Sequence, residues 1–219
     1  MIAATALPIG EEAVLIEVDD IASVLTLHDA LQARITDGHA PWEGVIDLVP
    51  AAQTVLLIAP EHPDLKALGH AAVDLAANCQ TPEAISDSAD TSNVVAIAVT
   101  YDGEDLDDIA EHTGLTREEI IEAHTGTTWT VAFFGFAPGF AYLAGGDSRL
   151  HVPRRDEPRT TVPRGSVGLA GDFSAVYPRS SPGGWQLLGH TDESMWDVEA
   201  DQPSRLQSGD QVRFVVAES

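Results

Sequence analysis

Phe133-Phe134-Gly135-Phe136-Ala137-Pro138-Gly139-Phe140-Ala141-Tyr142-Leu143 opens the stretch that decides the fold. It runs on through Val152-Pro153-Arg154-Arg155, Pro158-Arg159 and Val162-Pro163-Arg164-Gly165-Ser166-Val167-Gly168-Leu169-Ala170-Gly171, and closes with Ser181-Pro182-Gly183-Gly184-Trp185-Gln186-Leu187-Leu188-Gly189-His190-Thr191. Proline removes a backbone donor and breaks the helical ladder, and at this density with glycine it forbids long helices. Short strands joined by tight turns remain, the pattern of a closed barrel or sandwich. The charge of the stretch is equally unusual. Six of the ten arginines lie between Arg149 and Arg179, offset only by Asp156, Glu157 and Asp172, which leaves +3 inside a chain of net charge −24. Guanidinium forks suit carboxylate and phosphate groups. Two readings stay open: a pocket for a small anionic substrate, or arginines paired with the acidic surface around them.

The motifs Gly-Phe-x-Pro-Gly-Phe-x-Tyr-Leu, Pro-Arg-Arg, Pro-Arg-x-x-Val-Pro-x-Gly-Ser-Val-Gly-Leu-Ala-Gly and Ser-Pro-Gly-Gly-Trp-Gln-Leu-Leu-Gly, in this order, resemble the family of the B-type subunit of 5-oxoprolinase. That family is also called allophanate hydrolase subunit 1 and includes a sporulation-kinase inhibitor. The resemblance is specific over roughly residues 94 to 217; the first ninety residues match only in general layout. It implies a cyclophilin-like β-barrel for residues 128–219. It also implies an enzyme that acts as one subunit of a hydrolase, with a cyclophilin-like C-type partner and an A-type partner. The complex would use ATP, with Mg2+, to open 5-oxo-L-proline to L-glutamate, and the chain alone would be inactive. Two alternatives accompany it: a regulator that inhibits a histidine kinase, and a carboxyltransferase or allophanate-type half-domain acting on a urea-derived substrate.

Carried over by position, the resemblance places Arg155, Arg159 and Arg164 on a carboxylate or phosphate. Arg164 stands where many members of the family have a small residue. Gln186 and His190 would hydrogen-bond substrate or transfer a proton, and Phe136, Pro138, Phe140 and Trp185 would form an apolar wall. Ser166 reads as an anion or substrate donor, or as a turn residue. It is not a nucleophile elbow, because no glycine lies two positions before it. From the residues alone the reading stops at a barrel with an arginine-lined pocket.

Working toward the N-terminus, Glu12–Val18 reads as a strand. A helix capped by Asp19 or Asp20 follows, with Ile21, Val24, Leu25, His28, Leu31 and Ile35 at helical spacing and Gly38 at its end. Strands over 44–49 and 53–58, a helix from near Pro63 and a strand over Val94–Val99 complete a βαββαβ order. We therefore expect a ferredoxin-like α+β domain over 1–100, a helical connector over 101–127 and the barrel over 128–219. His28, His39, His62 and His70 are scattered rather than set at metal-ligand spacing, so no metal centre is expected.

The connector resembles a DNA-binding helix-turn-helix, with Gly114 at the turn and Thr116 and Glu119 as a capping box. Its second helix carries Glu118, Glu119 and Glu122 against Arg117, and residues 101–148 hold ten acids and one arginine. A DNA reader needs a basic face, so nucleic acid is excluded as a partner. With 35 acids, 11 bases and Lys66 as the only lysine, the surface repels anionic membranes as well. The composition is that of a halophilic protein, whose self-repulsion concentrated salt screens. Cys79, alone in the chain, has no disulfide partner within it and reads as a small, half-buried residue. No apolar run reaches membrane-spanning length and no basic leader opens the chain, so a cytoplasmic protein is expected.

Overall fold

Asp20 accepts a hydrogen bond from the Ser23 amide at 2.7 Å and Gly38 stops the same helix with φ 68°, so Ile21–Asp37 (α1) begins and ends where its local sequence dictates. The computed structural model describes residues 1–61, 64–80 and 94–217; the expected helix start near Pro63, His62 and nearly all of the polar loop 80–92 lie outside them. The described residues fall into two units, 1–84 and 85–219.

In the first unit, Ala4–Ile9 (β1), Ala13–Val18 (β2), Asp47–Pro50 (β3) and Thr54–Ile58 (β4) form an antiparallel sheet in the order β1-β2-β4-β3. Val24, Leu27 and Leu31 form a buried stripe on α1. Leu68, Ala72 and Ala76 do the same on Leu65–Asn78 (α2), and both stripes share a core with Ile16, Val55 and Leu57. Each of the larger side chains contributes about 1.5–3 kcal/mol by leaving water. Cys79 follows α2 half-buried against this core.

Two expectations are corrected here. The strand Val94–Val99 (β5) does not complete this sheet; it runs parallel to Gln211–Val216 (β13) in the second unit. A near-continuous apolar run suits a parallel pairing. Its expected place is taken by β1, an edge strand that tolerates Pro8. The unit boundary therefore precedes β5 rather than falling at residue 100.

The second unit continues with Leu106–Thr113 (α3), Arg117–Gly126 (α4), Trp129–Phe134 (β6), Ala141–Ala144 (β7), Arg159–Val162 (β8), Ser166–Ala170 (β9), Phe173–Val176 (β10), Ser181–Gly183 (β11) and Gln186–His190 (β12). Seven strands form one mixed sheet in the order β12-β9-β10-β7-β6-β13-β5; β8 and β11 pair as a separate ribbon. Thr100 and His190 exchange backbone hydrogen bonds of 2.8 and 2.9 Å, bringing the two outer strands together into a near-closed barrel. Residues 194–198 do not extend it: the Asp197 amide bonds to Pro203 O and Met195 O accepts from the Arg205 amide, a local ribbon of their own.

The helices at 101–127 are not a connector. Leu106, Ile109, Ile120 and Ala123 belong to the barrel core beside Ile97, Val131, Leu169, Leu188 and Phe214. The capping box is present: Thr116 Oγ accepts from the Glu119 amide at 3.2 Å, and Glu119 accepts from the Thr116 amide at 2.8 Å.

His124 of α4 is fully buried, stacked on Phe214 with ring centroids 4.1 Å apart, and hydrogen-bonded to the Tyr101 hydroxyl at 2.7 Å and to Ser174 Oγ at 2.9 Å. Burial pushes its pKa down to about 3, so the folded ring stays neutral while an unfolded one protonates near the ordinary 6.5. Its contribution is full above pH 6.5 and falls as the pH drops from there toward 3, by about 1.4 kcal/mol per pH unit. The stability difference between the native protein and His124→Gln is therefore expected to shrink by about 2 kcal/mol between pH 7 and pH 5. Urea melts of both proteins at the two pH values check this; parallel pH profiles would refute it.

Candidate functional site

Asp105, the residue before α3, is 1% exposed, and its carboxylate caps no helix. One oxygen accepts from Arg155 Nη1 at 2.5 Å and from Arg159 Nη2 at 2.7 Å; the other accepts from the Leu187 amide at 2.7 Å. A carboxylate this deeply buried persists only with such a set of charged and amide donors. Hydrogen bonding to Asp105 raises the pKa of Arg159 above its ordinary value. Arg155 also faces Asp108 at 3.6 Å, Arg159 faces Glu104 at 3.3 Å, and the Arg155 amide bonds to Gly184 O at 2.8 Å. Two of the three arginines expected on an anion thus hold the loop 153–159 against α3 and β12. Sequence reasoning misses Asp105 itself: it stands among Asp102, Glu104, Asp107 and Asp108, and only tertiary contacts set it apart.

The remaining expected site residues divide between two places. Arg164 is exposed in the turn before β9. Ser166, buried on β9, lies opposite His190 on β12, and His190 Nδ1 is 2.9 Å from Asp102 Oδ1. This group sits at the barrel seam and lines neither cavity described below.

The first cavity is a polar cleft of about 420 Å³, bordered by Asp108, His112, Arg154, Arg155, Asp156, Glu157 and Gln186. Gln186 is 3% exposed; its amide nitrogen donates to Pro153 O at 3.4 Å, and its Oε1 has no donor among the described residues. The second is a pocket of about 130 Å³ walled by Phe136, Phe140, Tyr142, Tyr177 and Trp185, with the backbone of Gly183 and Gly184. Phe140 meets Tyr177 and Trp185 edge-to-face at 5.2 and 5.5 Å. Three of the four residues expected as an apolar wall meet here; Pro138 is exposed at the turn and lines neither cavity. Burial raises the pKa values of Tyr142 and Tyr177, keeping both phenols protonated.

Arg154 borders both cavities. Among the described residues its guanidinium has neither a hydrogen-bond nor an ion-pair partner. The sequence signal for it is the Arg154-Arg155 pair, of which only the second draws a role from the motifs.

Residues 4–206 match the model of the carboxyltransferase domain, subdomains C and D. The chain is 38% identical over 214 residues to the B-type subunit of 5-oxoprolinase from Escherichia coli O157:H7, covering 94% of this chain and 93% of that protein. It is 48% identical over 125 residues to the B-type subunit of 5-oxoprolinase from Haemophilus influenzae, a match spanning 56% of this chain and 59% of the relative. Among solved structures, TTHA0988 superposes on all of the chain with a TM-score of 0.66 and 31% identity, and the chain spans 41% of that protein.

Proposed function

The chain belongs to the family of carboxyltransferase domains, subdomains C and D, and we propose that within it the protein is the B-type subunit of a 5-oxoprolinase complex. The observation that carries this is the 38% identity to a protein of that name over nearly the full length of both chains. In this reading the partners are an A-type and a C-type subunit, and the complex adds water across the lactam bond of 5-oxo-L-proline to give L-glutamate, at the expense of ATP. The chain alone is inactive, because its site lacks opposing groups. The second unit is a cyclophilin-like barrel, and the first a ferredoxin-like sheet whose edge strand comes from the N-terminal side. No described helix is long and apolar enough to cross a membrane; a cytoplasmic location belongs to the same proposal.

A nucleotide does not fit this chain's own cleft. Asp108, Asp156 and Glu157 border it, Arg155 is spent on Asp105, and Arg154 is the cation left over. A triphosphate needs several converging cations or amides. In this reading the ATP site lies on the partner side of the complex.

The test is ATP hydrolysis by the chain mixed with its A-type and C-type partners in high salt, with and without 5-oxo-L-proline. Hydrolysis is expected to rise on adding 5-oxo-L-proline and to release glutamate. The same rate with and without it would overturn the reading.

A further inference from the structure

We propose that the aromatic pocket, with Arg154 at its mouth, binds a small ring that carries a carboxylate, the ring lying between Phe140, Tyr177 and Trp185 and the carboxylate on Arg154. The identity of the ligand, 5-oxo-L-proline, rests on the reading above; its chemical class rests on the pocket. At about 130 Å³ the cavity is far below the ~300 Å³ at which pockets begin to hold drug-sized ligands, so a single small ring fits and a nucleoside does not. Its walls are already in place. Phe140, Tyr177 and Trp185 are 1%, 1% and 5% exposed and lock one another edge-to-face, so the space is preformed.

Arg149 is paired with Asp147, and Arg155 and Arg159 with Asp105. Arg164 and Arg179 are exposed and border neither cavity. Among the described arginines of this stretch, Arg154 alone combines an uncommitted guanidinium with a place at a cavity. In a chain of net charge −24, a carboxylate ligand needs such a cation close by to offset the field it enters.

The polar end of the pocket suits a carbonyl. Burial keeps the Tyr177 phenol protonated, so its hydroxyl is available to donate to a ligand at this end of the pocket. Gly183 is required there, since a Cβ on it would stand 2.4 Å from that hydroxyl. Phe136 holds a φ of 63°, rare for a bulky residue, and in that conformation it lies half-exposed at the rim, 5.2 Å from Phe140.

Ligand-observed NMR and calorimetry on the full chain test this with three probes: 5-oxo-L-proline, cyclopentanecarboxylate, and 2-pyrrolidinone, which lacks the carboxylate. Both acids are expected to bind, and 2-pyrrolidinone about tenfold or more weaker, the value of a charge-assisted hydrogen bond. Arg154→Gln is expected to weaken both acids by a similar factor with an unchanged melting temperature, and to raise KM for 5-oxo-L-proline in the complex. Binding of cyclopentanecarboxylate alone, dependent on Arg154, keeps the pocket and removes 5-oxo-L-proline as its ligand. If neither acid binds, or if both bind Arg154→Gln as well as the native protein, the pocket assignment is overturned. Turnover stimulated by 5-oxo-L-proline with KM unaltered by Arg154→Gln also sinks the pocket and leaves the assignment to the complex standing.

Discussion

Asp105→Ala lowers the melting temperature of the second unit by on the order of 10 °C. The substitution leaves Arg155 and Arg159, each partly buried, without the carboxylate that both of them bond, and leaves the Leu187 amide without its acceptor. Breaking a buried ion pair from one side costs about 3–5 kcal/mol, because the orphaned charge keeps its desolvation penalty. At roughly 2–4 °C per kcal/mol for a chain of this size, the shift is well resolved by calorimetry. Asp105→Asn retains the shape and one acceptor and should fall between. A melting temperature within a degree or two of the native value for Asp105→Ala would show that the arginines find other partners at little cost. It would also reopen their assignment to an anionic ligand.

Gly189→Ala is expected to open the barrel seam. A Cβ at this position would stand 2.0 Å from Thr100 O and 2.9 Å from Tyr101 Cα, and both are backbone atoms that no rotamer change moves aside. Gly103 meets the opposite strand in the same way, its absent Cβ 2.1 Å from Leu187 O. The seam closes because two glycines let backbone approach backbone. Overpacking of this kind costs about 1–3 kcal/mol, and here the loss of the Thr100–His190 hydrogen bonds, about 1 kcal/mol each, adds to it. Hydrogen exchange should show the Thr100 and His190 amides losing protection before those of β6 and β7. Equal protection in both proteins would mean the seam has room that the geometry denies.

The parts of the fold that are legible in advance are those written in neighbouring residues. The helix ends at Asp20, Gly38 and Gly114 and the Thr116–Glu119 capping box depend on contacts within four positions, and all are present. The glycine and proline spacing after residue 133 announces short strands for the same reason. What escapes depends on partners far along the chain. Pro8 argues against a strand until its place at an edge makes it harmless. Val94–Val99 looks like a strand but gives no sign of which sheet it joins, since a parallel partner leaves no local mark. In the candidate site, the adjacent Arg154 and Arg155 have opposite fates, one open to a cavity and one tied to a carboxylate fifty positions earlier. No property of either residue, only the placement of Asp105, separates them.

The parallel pairing of β5 with β13 sets the order in which the protein can assemble on the ribosome. The first unit draws its whole sheet from strands close together in the chain and can fold as soon as it emerges. The second cannot: Val94–Val99 waits for Gln211–Val216, more than a hundred residues later. At ~5–20 residues per second that delay is on the order of ten seconds. Throughout it, an apolar strand with an open hydrogen-bonding edge follows a finished domain in the chain, the situation in which nascent chains pair wrongly with one another. Assembly is thus limited by translation of the last strand, and a chaperone that shields residues 94–99 would have this interval in which to act.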